Sequence, residues 1–324
     1  MKPRNLGGSR MISLLLFLIL GLGGLYLGAE GLVRGSAALA LRLGVAPLII
    51  GLTIVSWGTS SPEIVVSLQA AIQGKGDVVV GNAVGSNIAN IGLILGLAAL
   101  WQSLKVQARL VRLDVPLLIG VSLLAGALLW DKALGRGEGM LLLTLMGVYV
   151  GLNIWMSRQE QSELLQEGRD LLPKRLRHPV IEGSLVLGGL GLLILGGRWF
   201  LESAVMLARM LELSEAFIGL TVVAVGTSLP ELATSIVAAL RREADIAVGN
   251  VVGSNLFNTL AILGLASGVQ PLETPGLRFE DLLVMNLLTW MLLPIFWSGR
   301  RIRRIEGLLL LGLYVAFIVT RAGI

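Results

Sequence analysis

Residues 51–97 read GLTIVSWGTSSPEIVVSLQAAIQGKGDVVVGNAVGSNIANIGLILGL. Residues 219–265 repeat this stretch without a gap at an offset of 168, and 25 of the 47 aligned positions are identical. Agreement at that level over so long a stretch indicates an internal duplication. The chain therefore contains two related halves, and its fold depends on how each half is built and how the two are oriented.

The composition places both halves in a membrane. The 324 residues are 55% hydrophobic and 15% charged, with a mean hydropathy of +0.82, whereas an average soluble domain is roughly 25% charged. A helix needs roughly 20 apolar residues to cross the hydrocarbon core. We predict an all-α polytopic membrane protein with ten transmembrane helices, over residues 11–29, 38–72, 77–102, 110–130, 138–157, 180–200, 206–240, 245–270, 281–298 and 304–321.

The charged residues indicate membrane topology. Cysteine is absent, which excludes disulfides and thiolate metal sites. The net charge of +5 comes from Lys and Arg in short segments between apolar runs, a pattern that favours a lipid bilayer as partner over nucleic acid. With both termini outside, 16 of the 26 basic residues fall on the inner side, although the basic N-terminal tail runs against this orientation. We expect a multi-pass protein of a prokaryotic inner membrane whose first apolar run is a retained span.

The two halves are predicted to be inverted relative to each other. The charged segment 158–179, which includes His178, is expected to be a connecting loop between five-helix halves at 1–157 and 180–324. An odd number of spans per half means that the second half enters the membrane from the opposite side. The alpha repeats 51–97 and 219–265 would then meet from opposite faces. Asp77 and Asp245 precede the third and eighth spans, where we expect them to cap helices.

The motifs GTSSPE at 58–63 and GTSLPE at 226–231 each place a carboxylate within a span. A charge at that depth costs between about 2.5 and more than 10 kcal/mol unless it is paired or hydrated. Pro62 and Pro230 also remove the helical donors for the carbonyls of Gly58 and Gly226, so both helices should be broken. Helical spacing sets two hydroxyls beside each carboxylate. The resulting groups are Thr59, Ser60 and Glu63 in the first half and Thr227, Ser228 and Glu231 in the second.

A second motif adds further oxygen atoms. GNAVGSNIAN at 81–90 sets Ser86 and Asn90 on one helix face, and GNVVGSNLFN at 249–258 does the same for Ser254 and Asn258. All these ligands are oxygens, which suits hard cations such as calcium and sodium. Two carboxylates balance one divalent ion or two monovalent ions, and this equivalence is a physical basis for exchange.

With both motifs in each half, the sequence resembles the calcium/cation antiporter superfamily, and most closely its sodium/calcium exchanger branch. The resemblance implies a ten-helix fold in which the long first and sixth spans slide across the core, with Glu63 and Glu231 as central calcium ligands. It also implies potassium independence, because potassium-dependent relatives, like some archaeal-type exchangers, carry Asp where this chain has Asn258. The sodium ligands that it implies are Ser56, Thr59, Ser60, Ser86, Ala224, Thr227, Ser228 and Ser254.

The sequence predicts a secondary active antiporter that exchanges calcium for sodium, with no resident cofactor. Proton/calcium relatives keep the same two glutamates, so a proton-coupled antiporter on this scaffold is the alternative. A membrane enzyme would need a nucleophile or an acid/base set. The chain offers no cysteine and one histidine in a charged segment, so we expect it not to be an enzyme.

Overall fold

The computed structural model describes residues 6–168, 179–211 and 224–322. Within that part, seven helices are long and apolar enough to cross a membrane, or eight if a bent pair counts as one span. The helices are α1 Leu6–Leu43, α2 Pro47–Thr59 continued by Ser61–Ile72, α3 Gly76–Trp101, α4 Leu110–Leu128, α5 Arg136–Gly168, α6 Pro179–Met210, α7 Ala224–Thr227 continued by Leu229–Leu240, α8 Ala244–Val269, α9 Phe279–Trp297 and α10 Arg304–Ala322.

Each of the ten predicted spans corresponds to one of these helices, but several bounds differ. Helix α1 continues to Leu43, so the second span begins at Pro47 and not near residue 38. Gly44, at a φ of +66°, ends α1, and the Val45 amide closes its last turn on the Ala40 carbonyl at 3.0 Å. Helix α5 extends to Gly168, into the segment expected to be a loop. His178 and residues 212–223 lie outside the described residues.

Two short β ribbons fix which helix ends share a face of the molecule. β1 (Leu104–Lys105), between α3 and α4, pairs antiparallel with β4 (Arg301–Ile302), between α9 and α10. β2 (Ala133–Leu134), between α4 and α5, pairs with β3 (Leu272–Glu273), between α8 and α9. The two strands of each ribbon are separated in sequence by an even number of helices. A chain whose helices each cross the membrane returns to the same side after an even number, so both strands of a ribbon lie on one side. The charge distribution predicts that the β1–β4 end is the inner side.

Helices α3 and α8 form the centre of the molecule. The apolar window of α8 is entirely buried and that of α3 is 78% buried, whereas only 22% of the α1 window is buried. A helix that is hydrophobic all round belongs in such an interior position. The two helices that carry the second motif are therefore enclosed by the others.

Helices α1 and α6 pack backbone against backbone through glycines. A Cβ added to Gly28 would stand 2.7 Å from the Gly189 carbonyl oxygen, and one added to Gly196 would stand 2.8 Å from that of Gly21. Small residues permit this close approach between membrane helices. Contacts between α1 and α6 are more extensive than between any other two helices in the described part of the chain.

Several buried or half-buried charges tie different helices together. The Arg42 guanidinium of α1 contacts Glu182 of α6 through two atom pairs at 2.5 and 2.8 Å. Glu30 pairs with Arg34 at 2.6 Å and also with Arg241 at the turn after α7. Glu30 lies inside α1, so this pairing ties α1 to the end of α7.

The expected capping role of Asp77 and Asp245 is wrong. Neither carboxylate caps its own helix, since the N-cap positions of these helices are Lys75 and Glu243 and show no side-chain cap. Asp77 Oδ1 accepts the Gly276 amide at 2.9 Å, and Asp245 Oδ2 accepts Gln107 Nε2 at 2.7 Å. Both acids connect their helices to distant loops.

Candidate ion-binding site

Helices α2 and α7 are interrupted at matching residues. Ser60 separates the two parts of α2 with a ψ of 3°, and the parts are bent by 47°. Ser228 separates the two parts of α7 with a ψ of 13°. The predicted breaks beside Pro62 and Pro230 are therefore present in both halves. They end one helical segment just before each glutamate and start the next, so each glutamate lies in a first turn.

The carbonyl that Pro62 leaves without a helical donor has a local partner. Ser61 Oγ donates to the Gly58 carbonyl oxygen at 2.6 Å. The second half has Leu229 at the position that matches Ser61. The two breaks therefore share their backbone shape but differ in how this carbonyl is satisfied.

Helices α3 and α8 contain π-helical turns at matching positions, which the sequence analysis did not predict. Those turns run over Asn90–Leu95 and Asn258–Ile262, and each begins at the last asparagine of its motif. Such turns insert an extra residue and are frequent at functional sites. They set the amides of Asn90 and Asn258 at the start of a widened turn.

Glu63 and Glu231 are both 1% exposed. Ser60 Oγ of the first half donates to Glu231 Oε1 of the second at 3.0 Å. The other oxygen of each carboxylate, Glu63 Oε2 and Glu231 Oε2, has no hydrogen-bond partner among the described residues. The structure thus brings together the carboxylates that the sequence placed in separate halves.

Three more buried oxygens of the predicted set lack a hydrogen-bond donor within the described part of the chain: Ser254 Oγ, Asn90 Oδ1 and Asn258 Oδ1. Buried polar atoms are rarely left unpaired in proteins. Carboxylate, amide and hydroxyl oxygens form a donor set that suits a hard cation. In ranges 6–168, 179–211 and 224–322 no group of three or more acidic, histidine or cysteine side chains could hold a metal.

The remaining hydroxyls lie at the contacts between the halves. Thr59 Oγ1 contacts the Ser56 carbonyl oxygen at 3.3 Å and Asn250 Oδ1 at 3.1 Å, and Ser228 Oγ donates to Ser86 Oγ at 3.5 Å. Ser56 Oγ donates to the Thr53 carbonyl of its own helix at 3.1 Å. In the second half, Ala224 begins the first part of α7 and Thr227 ends it.

Sequence reasoning missed two asparagines that hold the glutamate segments. Asn82 Nδ2 donates to the Glu63 carbonyl oxygen at 3.4 Å and to Ser67 Oγ at 2.9 Å. Asn250 makes the same two contacts, to Glu231 at 3.4 Å and to Ser235 Oγ at 3.0 Å. The signal was available, because both asparagines and both serines are identical in the two repeats.

Two hydrogen-bonded asparagine pairs join α3 to α8 across the repeat. Asn90 Nδ2 donates to Asn255 Oδ1 at 2.9 Å, and Asn258 Nδ2 donates to Asn87 Oδ1 at 3.1 Å. The offset of 168 that relates the repeats matches Asn90 with Asn258 and Asn87 with Asn255, so the two bonds are equivalent. Because each amide group donates its N–H across the repeat, the Oδ1 atoms of Asn90 and Asn258 are left for another partner.

Comparison with known proteins identifies the family. The model of the sodium/calcium exchanger protein family matches residues 13–155 and again residues 183–323. The chain belongs to the sodium/calcium exchanger family. Among its relatives are the putative antiporter CaxA of Alkalimonas amylolytica, 38% identical over 95% of this chain and 98% of CaxA, and the inner membrane protein YrbG of Escherichia coli, 38% identical over 93% and 94%.

Solved structures agree with this assignment. The sodium-calcium exchanger NCX_Mj, in crystals soaked with sodium and calcium, superposes with a TM-score of 0.82, at 30% identity over 95% of this chain and 98% of NCX_Mj. The exchanger described here is thus a multi-pass integral membrane protein with the fold of that transporter. It is a cation/calcium exchanger in type and not an enzyme.

Proposed function

We propose that this exchanger moves calcium in exchange for sodium, by alternating access to one site centred on Glu63 and Glu231. The observation that carries the proposal is the pair of buried carboxylates whose Oε2 atoms have no hydrogen-bond partner among the described residues. Two negative charges at that depth need positive charge to balance them. One calcium ion or two sodium ions neutralise them equally, so the two substrates can compete for the same place.

The ligand roles proposed here follow the chemistry of the oxygens. Calcium takes six to eight oxygen ligands, and the two carboxylates with the Oδ1 atoms of Asn90 and Asn258 form the strongest part of such a shell. The hydroxyls and carbonyls that the family resemblance implies as sodium ligands surround this group. Those residues are Ser56, Thr59, Ser60, Ser86, Ala224, Thr227, Ser228 and Ser254.

Access would alternate through the movement of α1 and α6 as one unit. These helices pack on each other through backbone contact, and α1 also contacts α7. The two β ribbons instead join loops that flank α3, α4, α5, α8, α9 and α10. The ribbons thus join six helices into a frame, and no ribbon in the described part of the chain joins α1 or α6 to it. We further propose that residues 1–157 and 180–324 act as the two inverted functional halves.

The coupling ion is tested by calcium-45 uptake into proteoliposomes under imposed sodium, proton and potassium gradients in turn. We expect uptake to follow the sodium gradient and to ignore potassium, because Asn258 replaces the aspartate of potassium-dependent relatives. Uptake that followed the proton gradient and ignored sodium would favour the proton-coupled alternative. If three sodium ions move per calcium ion, as the family resemblance suggests, each cycle carries one net charge, worth about 2.3 kcal/mol per 100 mV.

The site itself is tested by neutral variants of each glutamate. Glu63→Gln or Glu231→Gln should abolish uptake, because one carboxylate cannot balance a divalent ion in the bilayer. Glu280→Gln is the matched control, since Glu280 is exposed in the first turn of α9 and belongs neither to the site nor to the α1–α6 pair. Uptake by Glu63→Gln at the rate of the Glu280→Gln control would refute the assignment.

A further inference from the structure

A cavity of about 480 Å³ lies at the β1–β4 end, between the start of α4 and the turn that joins α9 to α10. Its charged lining is entirely basic. Arg112 and Arg300 both face the cavity, and neither has a salt bridge or a side-chain hydrogen bond to any residue that the structure describes. The cavity is lined by Ala108, Val111, Arg112, Trp297, Gly299 and Arg300.

The backbone holds Arg300 in a conformation that most residues avoid. Its φ is +52°, in the left-handed region, and it follows Gly299 at a φ of +101°. The Cβ of a non-glycine residue is strained there by its approach to the following carbonyl oxygen. The Val106 amide donates to the Arg300 carbonyl at 2.9 Å and continues the β1–β4 ribbon. The ribbon therefore fixes the backbone of Arg300 at the edge of the cavity that Arg112 also lines.

The surroundings of the cavity are also positive, and they lie at the ends of the apolar helices α3 and α9. Lys105 and Arg301 are paired in the β1–β4 ribbon. The nearby Glu306 already accepts the Ser298 hydroxyl at 3.1 Å. Trp297 is 71% exposed and Trp101 is 63% exposed. Exposed tryptophans of membrane proteins concentrate at the headgroup level.

We propose that this cavity binds the phosphate of an anionic phospholipid headgroup. Arg112 and Arg300 contact the phosphate oxygens, which the planar guanidinium groups suit. Trp297 packs against the glycerol region, and the acyl chains follow the apolar outer surfaces of α4 and α9. Basic residues concentrate on the inner side of membrane proteins, and this tendency alone would place arginines at this end. It does not explain why two arginines line one cavity without an acidic residue. Basic cavities between membrane helices do bind lipid headgroups.

The test uses the full-length protein in detergent, titrated with phosphatidylglycerol or phosphatidylcholine and analysed by native mass spectrometry for retained lipid. We expect retention of phosphatidylglycerol in preference to phosphatidylcholine. Since each basic residue contributes about 1 kcal/mol, Arg112→Gln with Arg300→Gln should weaken that binding about 30-fold. The double variant Arg112→Lys with Arg300→Lys keeps the charge and should retain most of the binding.

The matched control is Arg242→Gln with Arg278→Gln, which removes the same charge from two exposed arginines that do not line the cavity. Equal binding of phosphatidylglycerol by the cavity variant and this control would overturn the proposal. A titration with inorganic phosphate distinguishes a lipid from a soluble anion. If phosphate bound to the parent protein at the cavity arginines and phosphatidylglycerol did not, the lipid assignment would likewise fail.

Discussion

Substitution of Gly28 by alanine should separate the two long helices. The added Cβ would stand 2.7 Å from both the Gly189 carbonyl oxygen and the Leu193 amide nitrogen of α6. These are backbone atoms of a long helix, so no side chain can rotate away to make room. An ordinary contact for a Cβ begins at 3.4 Å, so the helix axes must move apart by about 1 Å. Gly23 of the same helix is exposed and has no described atom within 4 Å of an added Cβ.

The two variants allow the packing cost to be isolated. Gly→Ala in a helix interior gains roughly 0.5–1 kcal/mol from backbone entropy, and both variants share that gain. Overpacking of an interior contact costs about 1–3 kcal/mol, and only Gly28→Ala bears it. With about 2 °C of melting temperature for each kcal/mol in a chain of this size, Gly28→Ala should melt roughly 2–6 °C below Gly23→Ala.

The assay is thermal unfolding in detergent followed by intrinsic fluorescence, for which the chain carries seven tryptophans. Gly189→Ala should repeat the result from the α6 side, because its Cβ would stand 2.6 Å from the Leu32 amide nitrogen. Sodium-driven calcium uptake should decrease in the same variants. Equal melting temperatures for Gly28→Ala and Gly23→Ala would show that the helices do not pack backbone against backbone, and the reasoning would be wrong.

Three further predictions concern polar contacts. Asn250→Ala should weaken calcium-dependent thermal stabilisation more than Asn82→Ala, by about 1 kcal/mol for its extra bond with Thr59; equal effects would contradict this. Ser60→Ala removes the hydroxyl that orients the Glu231 carboxylate. Since a hydrogen bond to a charged group contributes about 1.5–3 kcal/mol, the calcium concentration for half-maximal uptake should rise at least tenfold. Glu30→Gln removes the ion pair between α1 and Arg241. Because Arg241 is 42% exposed, the pair contributes little energy, and initial uptake rates at saturating calcium should change by no more than about fivefold. Arg241→Gln should give the same change, and opposite effects of the two variants would argue against a shared ion pair.

The broken helices and the buried carboxylates could be predicted because their causes are local. A proline removes one backbone donor wherever it stands in a helix, so Pro62 and Pro230 indicated the breaks without knowledge of the fold. The duplication then indicated that the two glutamates form one site. The contact between Ser60 and Glu231 agrees with that inference.

The acids at the starts of α3 and α8 were misleading because their partners lie far away in sequence. Asp77 resembled a cap, yet its carboxylate accepts the Gly276 amide. Asp245 resembled a cap in the same way, whereas its partner is Gln107. The π-helical turns at Asn90 and Asn258 were also missed, since the choice of one extra residue per turn depends on packing between helices. Local propensity does not contain that information.

The amide bonds exchanged between Asn90 and Asn255 and between Asn258 and Asn87 have a consequence for the direction of flux. Because the repeat offset converts one bond into the other, the proposed inversion of the halves would present an equivalent amide pair towards each compartment. Under the proposed exchange, the ion gradients alone would set the direction of net movement, and the transporter would run backwards when these are reversed.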